Sequence, residues 1–158
     1  MTNNDILRRL RFILKLNDND LLTIMELGSL VVEKSDVNAW LKREGSDGYR
    51  EMKDKELASF LNGLITYKRG RHDGKEPVSE TILTNNLILK KIKIALRLTS
   101  EDIVDVFKAI DKRITVSEIG AFLRKPSHAK YRDFNGQYMR NLLYGLQTKG
   151  LNESTKAS

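Results

Sequence analysis

The side chains best suited to chemistry in this 158-residue chain are two histidines, several neighbouring carboxylates and a repeated row of cations. His72 stands in "RGRHDGKEPVSET" and His128 in "KPSHAKY"; neither belongs to a His-x-x-x-His or comparable pair, and no cysteine is present to complete a zinc set. No metal or cofactor site is therefore expected. There is no P-loop, no dinucleotide-binding glycine fingerprint and no "GxSxG" nucleophile turn. Asp18 and Asp20, and likewise Glu101 and Asp102, stand where helices should begin. Carboxylates there stabilise the positive end of the helix dipole, which accounts for them without general acid–base work. These residues predict no reaction, and the expected class is non-enzymatic.

The cations point elsewhere. Arg8, Arg11 and Lys15 recur at i, i+3 and i+7 of a first predicted helix, off its apolar face, and Lys90, Lys93 and Arg97 repeat the spacing later in the chain. A row of cations along one helix can follow a phosphate backbone. The pairs Tyr49-Arg50 and Tyr131-Arg132 add a ring and a guanidinium that could stack on a base or hold an anion, or could pack on the helices and pair with a carboxylate. The formal net charge is +7, an excess that favours polyanions. The stretch "EDIVDVFKAIDKRITVSEIGAFLRK" and its counterpart "LLTIMELGSLVVEKSDVNAWLKR" also have a helix-turn-helix flavour. Their connection is longer than the usual turn, and the second helix offers little for base reading beyond Asn38, whose counterpart is Gly120. Nucleic acid is the first partner expected; another protein, docked on exposed helical faces, is the alternative.

The elements that must position these residues come in duplicate. A shift of 82 aligns the chain with itself without a gap for about 65 residues. Asn4 meets Asn86, Trp40-Leu41 meets Phe122-Leu123, Tyr49-Arg50 meets Tyr131-Arg132, and Gly63-Leu64 meets Gly145-Leu146, while His128 meets Ser46. Each copy reads as four helices. The first spans about Asp5 to Leu16, with Ile6, Leu7, Leu10, Ile13 and Leu14 on one face. The second is capped by Asn17 or Thr99, and the third begins near Ser35 or, in the other copy, at Thr115 or Ser117. The fourth carries Leu57, Phe60, Leu61 and Leu64, matched by Met139, Leu142, Leu143 and Leu146. Glycine in mid-helix at Gly63 and Gly145 implies close helix contact, and Gly70 and Gly150 read as C-terminal caps. The expected core is Leu10, Leu14, Trp40, Leu61 and Leu64, with Ile92, Leu96, Phe122, Leu143 and Leu146. The fold class is thus all-α, a tandem duplication of a small four-helix unit: repeats over 2–68 and 84–150, an exposed linker over 69–83 and a loose tail over 151–158.

The blocks "NNDILRRLRFILKLNDNDL", "WLKRE", "SFLNGLITYKRG" and "NNLILKKIKIAL" resemble the YehS-like family of small bacterial proteins, a domain of unknown function. The resemblance extends from about Asn3 to Gly150 and implies bacterial origin and a tandem helical layout. It implies no catalytic residue. No apolar stretch approaches the ~20 residues that span a bilayer, and the start Met1-Thr2-Asn3-Asn4-Asp5 lacks the pattern of a secretory signal. With no cysteine, the expected location is the cytoplasm.

Overall fold

The computed structural model describes residues 1–70 and 79–150. Among these the regular structure is eight α-helices: α1 Asn3–Leu14, α2 Asp18–Leu27, α3 Lys34–Leu41, α4 Asp54–Arg69, α5 Asn85–Ala95, α6 Ser100–Lys108, α7 Val116–Phe122 and α8 Gly136–Lys149. The chain divides into two compact units, Met1–Leu83 and one beginning at Thr84. Most of the sequence expected as linker, 71–78, and the tail 151–158 lie outside the described residues. The last part of the expected linker is not exposed throughout. The Leu83 N–H donates to Asp54 at 2.9 Å, the Ser79 and Ser59 hydroxyls lie 2.8 Å apart, and Leu83 is buried, so this segment is tied across α4.

Local chemistry sets the helix ends. Asn17 accepts from the Asp20 N–H and Asp20 returns the bond to the Asn17 N–H; Thr99 with Asp102 and Thr115 with Glu118 do the same. Glu33 offers α3 no cap acceptor, and there Asp36 alone closes the first turn by accepting the Glu33 N–H. Gly70 and Gly150 terminate α4 and α8 at φ 81° and 73°. Helix α1 stops at Leu14, two residues before the expected end at Leu16. Lys15 turns left-handed at φ 55°, and the Leu16 N–H reaches back to the Arg11 carbonyl at 3.0 Å. This Schellman closure drops Leu16 into the core and leaves the helix-terminal Leu14 half-buried, against its expected core place. Arg97 does likewise after α5, at φ 54° with Leu98 N–H bonded to Lys93. Ser29 and Asp111 form a second such pair after α2 and α6. These four are the non-glycine residues with positive φ among the described residues, and they fall into two pairs under the repeat.

In each unit the second and fourth helices pack together, with the first against the fourth. Leu10, Trp40, Leu61 and Leu64, and Ile92, Leu96, Phe122, Leu143 and Leu146, are all buried. Met52 and Phe134, which lie outside the helices, are buried as well. The second unit fills the centre with aromatics: Phe122 meets Phe134 edge-on at 5.0 Å and Tyr138 at 4.9 Å. The corresponding sequence positions in the first unit are Trp40, Met52 and Glu56, of which Trp40 and Met52 are buried while Glu56 accepts the Lys53 N–H at the start of α4.

A polar clamp lies at the centre of each unit. Asn4 is 1 % exposed; its Nδ2 donates to the Trp40 and Arg50 carbonyls at 3.0 and 2.9 Å, and its Oδ1 accepts from the Met52 N–H at 2.8 Å. Asn86 repeats all three bonds, to Phe122, Arg132 and Phe134, at 2.9, 2.7 and 3.0 Å. One side chain thereby satisfies three backbone groups that no helix can reach.

Gly63 and Gly145 are places of close approach. A Cβ on Gly63 would land on the Ile24 carbonyl oxygen, and one on Gly145 would meet the Val106 carbonyl and lie 2.7 Å from Val106 Cγ1. Gly120, inside α7, has open space where a Cβ would stand. Gly63→Ala should therefore lower stability by ~1–3 kcal/mol despite alanine's better helix propensity. Gly120→Ala should raise it by up to ~1 kcal/mol. Denaturant titration of both variants checks the opposite signs. Asn4→Ala strands three buried backbone groups and should cost ~3 kcal/mol or more by the same measurement.

Candidate nucleic-acid interface

The outer face of α1 carries Asp5, Arg8, Arg9 and Phe12, with Arg11 towards one edge. Arg8 is committed within the unit. Its Nη1 lies 3.1 Å from Asp5 Oδ1, and its Nη2 donates to the Lys42 carbonyl at 3.2 Å. Arg11 Nη2 pairs with Asp18 Oδ1 at 3.2 Å. Burial works to raise the Asp5 carboxyl, but the Thr2 N–H and hydroxyl and the Arg8 guanidinium hold it below its ordinary value of 3.8. Lys15 is exposed but, as the left-handed cap, it leaves the helical row. The expected i, i+3, i+7 stripe is therefore two helical residues and a turn, because α1 ends at Leu14.

The bond from Arg8 to the Lys42 carbonyl sets α1 against the loop after α3. That loop is closed by Ser46 N–H to Arg43 and Tyr49 N–H to Ser46, at 3.0 and 3.1 Å. In the second unit His128 N–H to Lys125 and Tyr131 N–H to His128, at 2.9 and 3.0 Å, build the same turn. Tyr49 stands in this corner. Desolvation raises its phenol, Glu44, Glu51 and Asp5 push the same way, and Arg8 opposes them. Tyr131 is raised by desolvation and by Asp133.

Arg50 and Arg132 fold back onto their own units. The Arg50 guanidinium lies 5.0 Å from the Trp40 ring centre and 2.9 Å from Asp36. Arg132 lies 5.6 Å from the Phe122 ring centre and 3.4 Å from Glu118. His128 holds its loop: Nδ1 accepts the Lys130 N–H at 3.0 Å, and Nε2 lies 3.3 Å from Arg124 Nη1. His72 lies outside the described residues. Among the described residues no group of three or more His, Asp or Glu could hold a metal, and no helix is long and apolar enough to cross a membrane.

The two copies differ in the carboxylates around this face. Asp5 and Asp18, the partners of Arg8 and Arg11, are replaced by Leu87 and Ser100. Glu44 and Asp47 of the loop become Pro126 and Ala129, and Gly48 becomes Lys130. Lys90 and Arg97 are exposed and Lys93 half-buried, and among the described residues none of the three has a carboxylate partner. Under the repeat Lys90 corresponds to Arg8 and Arg124 to Lys42. Halving the chain at the boundary between units shows the scale of the change. Residues 1–83 hold 14 Lys and Arg against 14 Asp and Glu, and residues 84–158 hold 14 against 7. The whole excess of +7 belongs to the second half. This signal is present in the sequence, but only a count taken half by half shows it. A further basic feature has no sequence motif: an open groove of ≈ 390 Å³ lined by Val104, Lys108, Asp111, Lys112, Arg113 and Ile114. Its counterparts in the first copy include Glu26, Leu30 and Val31.

The family model described as "Protein of unknown function (DUF1456)" matches residues 3–70 and again 85–150. The "Uncharacterized protein YehS" of Escherichia coli (strain K12) is 38% identical over 150 residues, covering 94% of this chain and 96% of that protein. No solved structure matches the chain.

The ion pair beside Trp40 gives a pH dependence. The Glu33 N–H, then Arg50, hold the Asp36 carboxyl below its ordinary value of 3.8. A depressed carboxyl contributes stability above its unfolded value and loses it as pH falls through the folded one. Stability should therefore drop below about pH 4, and Asp36→Asn should flatten that part of the profile. Urea midpoints measured from pH 6 to pH 2.5 test this, and an unchanged slope would count against the pair.

Proposed function

The chain belongs to the DUF1456 family, and we propose that it is a non-enzymatic cytoplasmic module that binds nucleic acid through the cationic outer faces of its repeats, chiefly the second. The observation that carries this reading is the confinement of the +7 excess to residues 84–158 together with the loss of the carboxylates that pair Arg8 and Arg11 in the first copy. Unpaired cations on a helix face are stabilised by phosphate and release its counterions. Lys90, Lys93 and Arg97 are the principal phosphate contacts, with Tyr131 and Arg132 at the loop beside them. Arg8, Arg11, Lys15, Tyr49 and Arg50 form the equivalent face of the first copy. They contribute less, because a phosphate must compete there with Asp5 and Asp18. A second reading, docking to another protein, is favoured by the first unit, which is neutral and exposes Phe12 and Val31.

The triple change Lys90→Gln, Lys93→Gln and Arg97→Gln leaves the apolar face untouched. It should weaken duplex binding for all sequences alike and lower the slope of log affinity against log salt by roughly 3, from ~0.9 per phosphate contact. Arg8→Gln with Arg11→Gln should have a smaller effect. Fluorescence anisotropy at two salt concentrations measures both. No binding by the unaltered protein at low salt would end the nucleic-acid reading and favour the protein-docking one.

A further inference from the structure

Helix α8 presents a second surface, distinct from the α5 face. Gln137, Arg140, Asn141, Tyr144, Gln147 and Thr148 recur at i, i+3, i+4, i+7, i+10 and i+11, which places them within one arc of the helix of roughly 120°. The opposite side, Met139, Leu142, Leu143 and Leu146, is core. Five of the six outward residues are exposed and Asn141 is half-buried; Tyr144 is 53% exposed. No carboxylate occurs anywhere in α8. Three of the side chains form a ladder along the surface: Arg140 Nη2 donates to Gln137 Oε1 at 3.2 Å, and Gln137 Nε2 donates to Asn141 Oδ1 at 3.0 Å.

The first copy does not keep this face. Its equivalents of Arg140, Asn141 and Tyr144 are Ala58, Ser59 and Asn62, all buried, and the segment Ser79–Leu83 is tied across that helix by the Ser59 and Asp54 bonds. The same helix position is thus closed in one unit and open in the other, and the open one lies in the half that carries the entire +7.

We infer that α8 enters the major groove of duplex DNA and reads base edges with Gln137, Arg140 and Asn141. This rests on the nucleic-acid reading above and adds to it the duplex, the groove and sequence selectivity. The residue types carry it. Glutamine and asparagine match the N6 and N7 edge of adenine, arginine matches the O6 and N7 edge of guanine, and the major groove admits a helix. Arg140 and Asn141 are adjacent in sequence and Gln137 lies one turn before, so the three cover neighbouring base steps. The deep, narrow major groove of A-form RNA excludes a helix, which selects DNA over duplex RNA. The α5 cations contribute charge without sequence.

The full chain is tested by selection from a random duplex library, followed by methylation interference on the enriched sequence. The expected result is an enriched motif, with binding blocked by methylation at guanine N7, a major-groove atom. Gln137→Ala, Asn141→Ala or Arg140→Lys, the last preserving charge, should reduce preference for the motif roughly tenfold or more. Affinity for unselected duplex should stay within about twofold, since the phosphate contacts are unchanged. Binding without any enriched motif overturns the inference and leaves the nucleic-acid reading standing. So does a motif whose recognition ignores N7 methylation, or one kept by all three variants. Failure of the unaltered protein to bind duplex at low salt overturns both.

Discussion

One buried asparagine in each unit fixes the rest of the structure. The first helix, the end of the third and the chain entering the fourth meet at Asn4, and again at Asn86. Trp40 and Phe122 lie in the last turns of α3 and α7 and the other clamped groups lie outside the helices, so these carbonyls and N–H have no ladder to join. Only a side chain with two donors and an acceptor, held within the core, satisfies all three at once. Aspartate lacks the donors, and leucine lacks all polar function. Once this junction is fixed, Met52 and Phe134 are pinned beside Trp40 and Phe122. Arg50 and Arg132 then fall over those rings, and the loop before them stands against the first helix. The position of every candidate contact residue on the α1 and α5 faces follows from that junction.

The duplication separates what the fold requires from what it permits. The clamp, the Schellman turns, the capping box of the second helix, the acid that closes the first turn of the third, and the arginine stacked over an aromatic ring persist in both copies. The carboxylates on the outer face do not. Asp5, Asp18, Glu44 and Asp47 have no acidic counterpart, whereas Asp36 and Asp20, which close helix turns, are matched by Glu118 and Asp102. Asp5 and Glu56, which close the first turns of α1 and α4, are replaced by Leu87 and Tyr138, so helix-closing acids are kept at the second and third helices only. An exposed ion pair contributes little to stability, so the second unit could lose its surface acids while its fold persisted.

Much of the fold was legible in the sequence, because helical apolar period and capping residues are local signals and the repeat supplied each of them twice. The two glycines in mid-helix were legible for the same reason. The end of α1 was not. The sequence reads as helix through Leu16, while the chain turns at Lys15 in a conformation that lysine seldom adopts. The turn is enforced by the tertiary burial of Leu16. Met52 and Phe134 were also missed, since a lone apolar residue between helices has no period. The YehS-like resemblance agrees with the family match and its two segments. For the candidate interface, the sequence named the cations but not their partners. That Arg8 and Arg11 are engaged and Lys90 and Lys93 are not depends on residues three to seven positions away. The α8 face was invisible, because whether its first-copy equivalent is covered is decided by a segment some twenty residues further on.

The interlocked glycines have a consequence for how the two halves can diverge. In the first unit Gly28 lies against the Ser59 carbonyl and Gly63 against that of Ile24, so α2 and α4 touch backbone to backbone at two points and neither residue can change alone. In the second, Gly145 keeps the contact with Val106, but Ile110 stands where Gly28 would be. One of the two locks has been replaced by a side chain, which can be exchanged for another of similar size. Mutational freedom is therefore unequal between the copies. The first is held to one solution by its backbone geometry, and the second is the copy in which the sequence of α6, α8 and their surfaces has more room to drift.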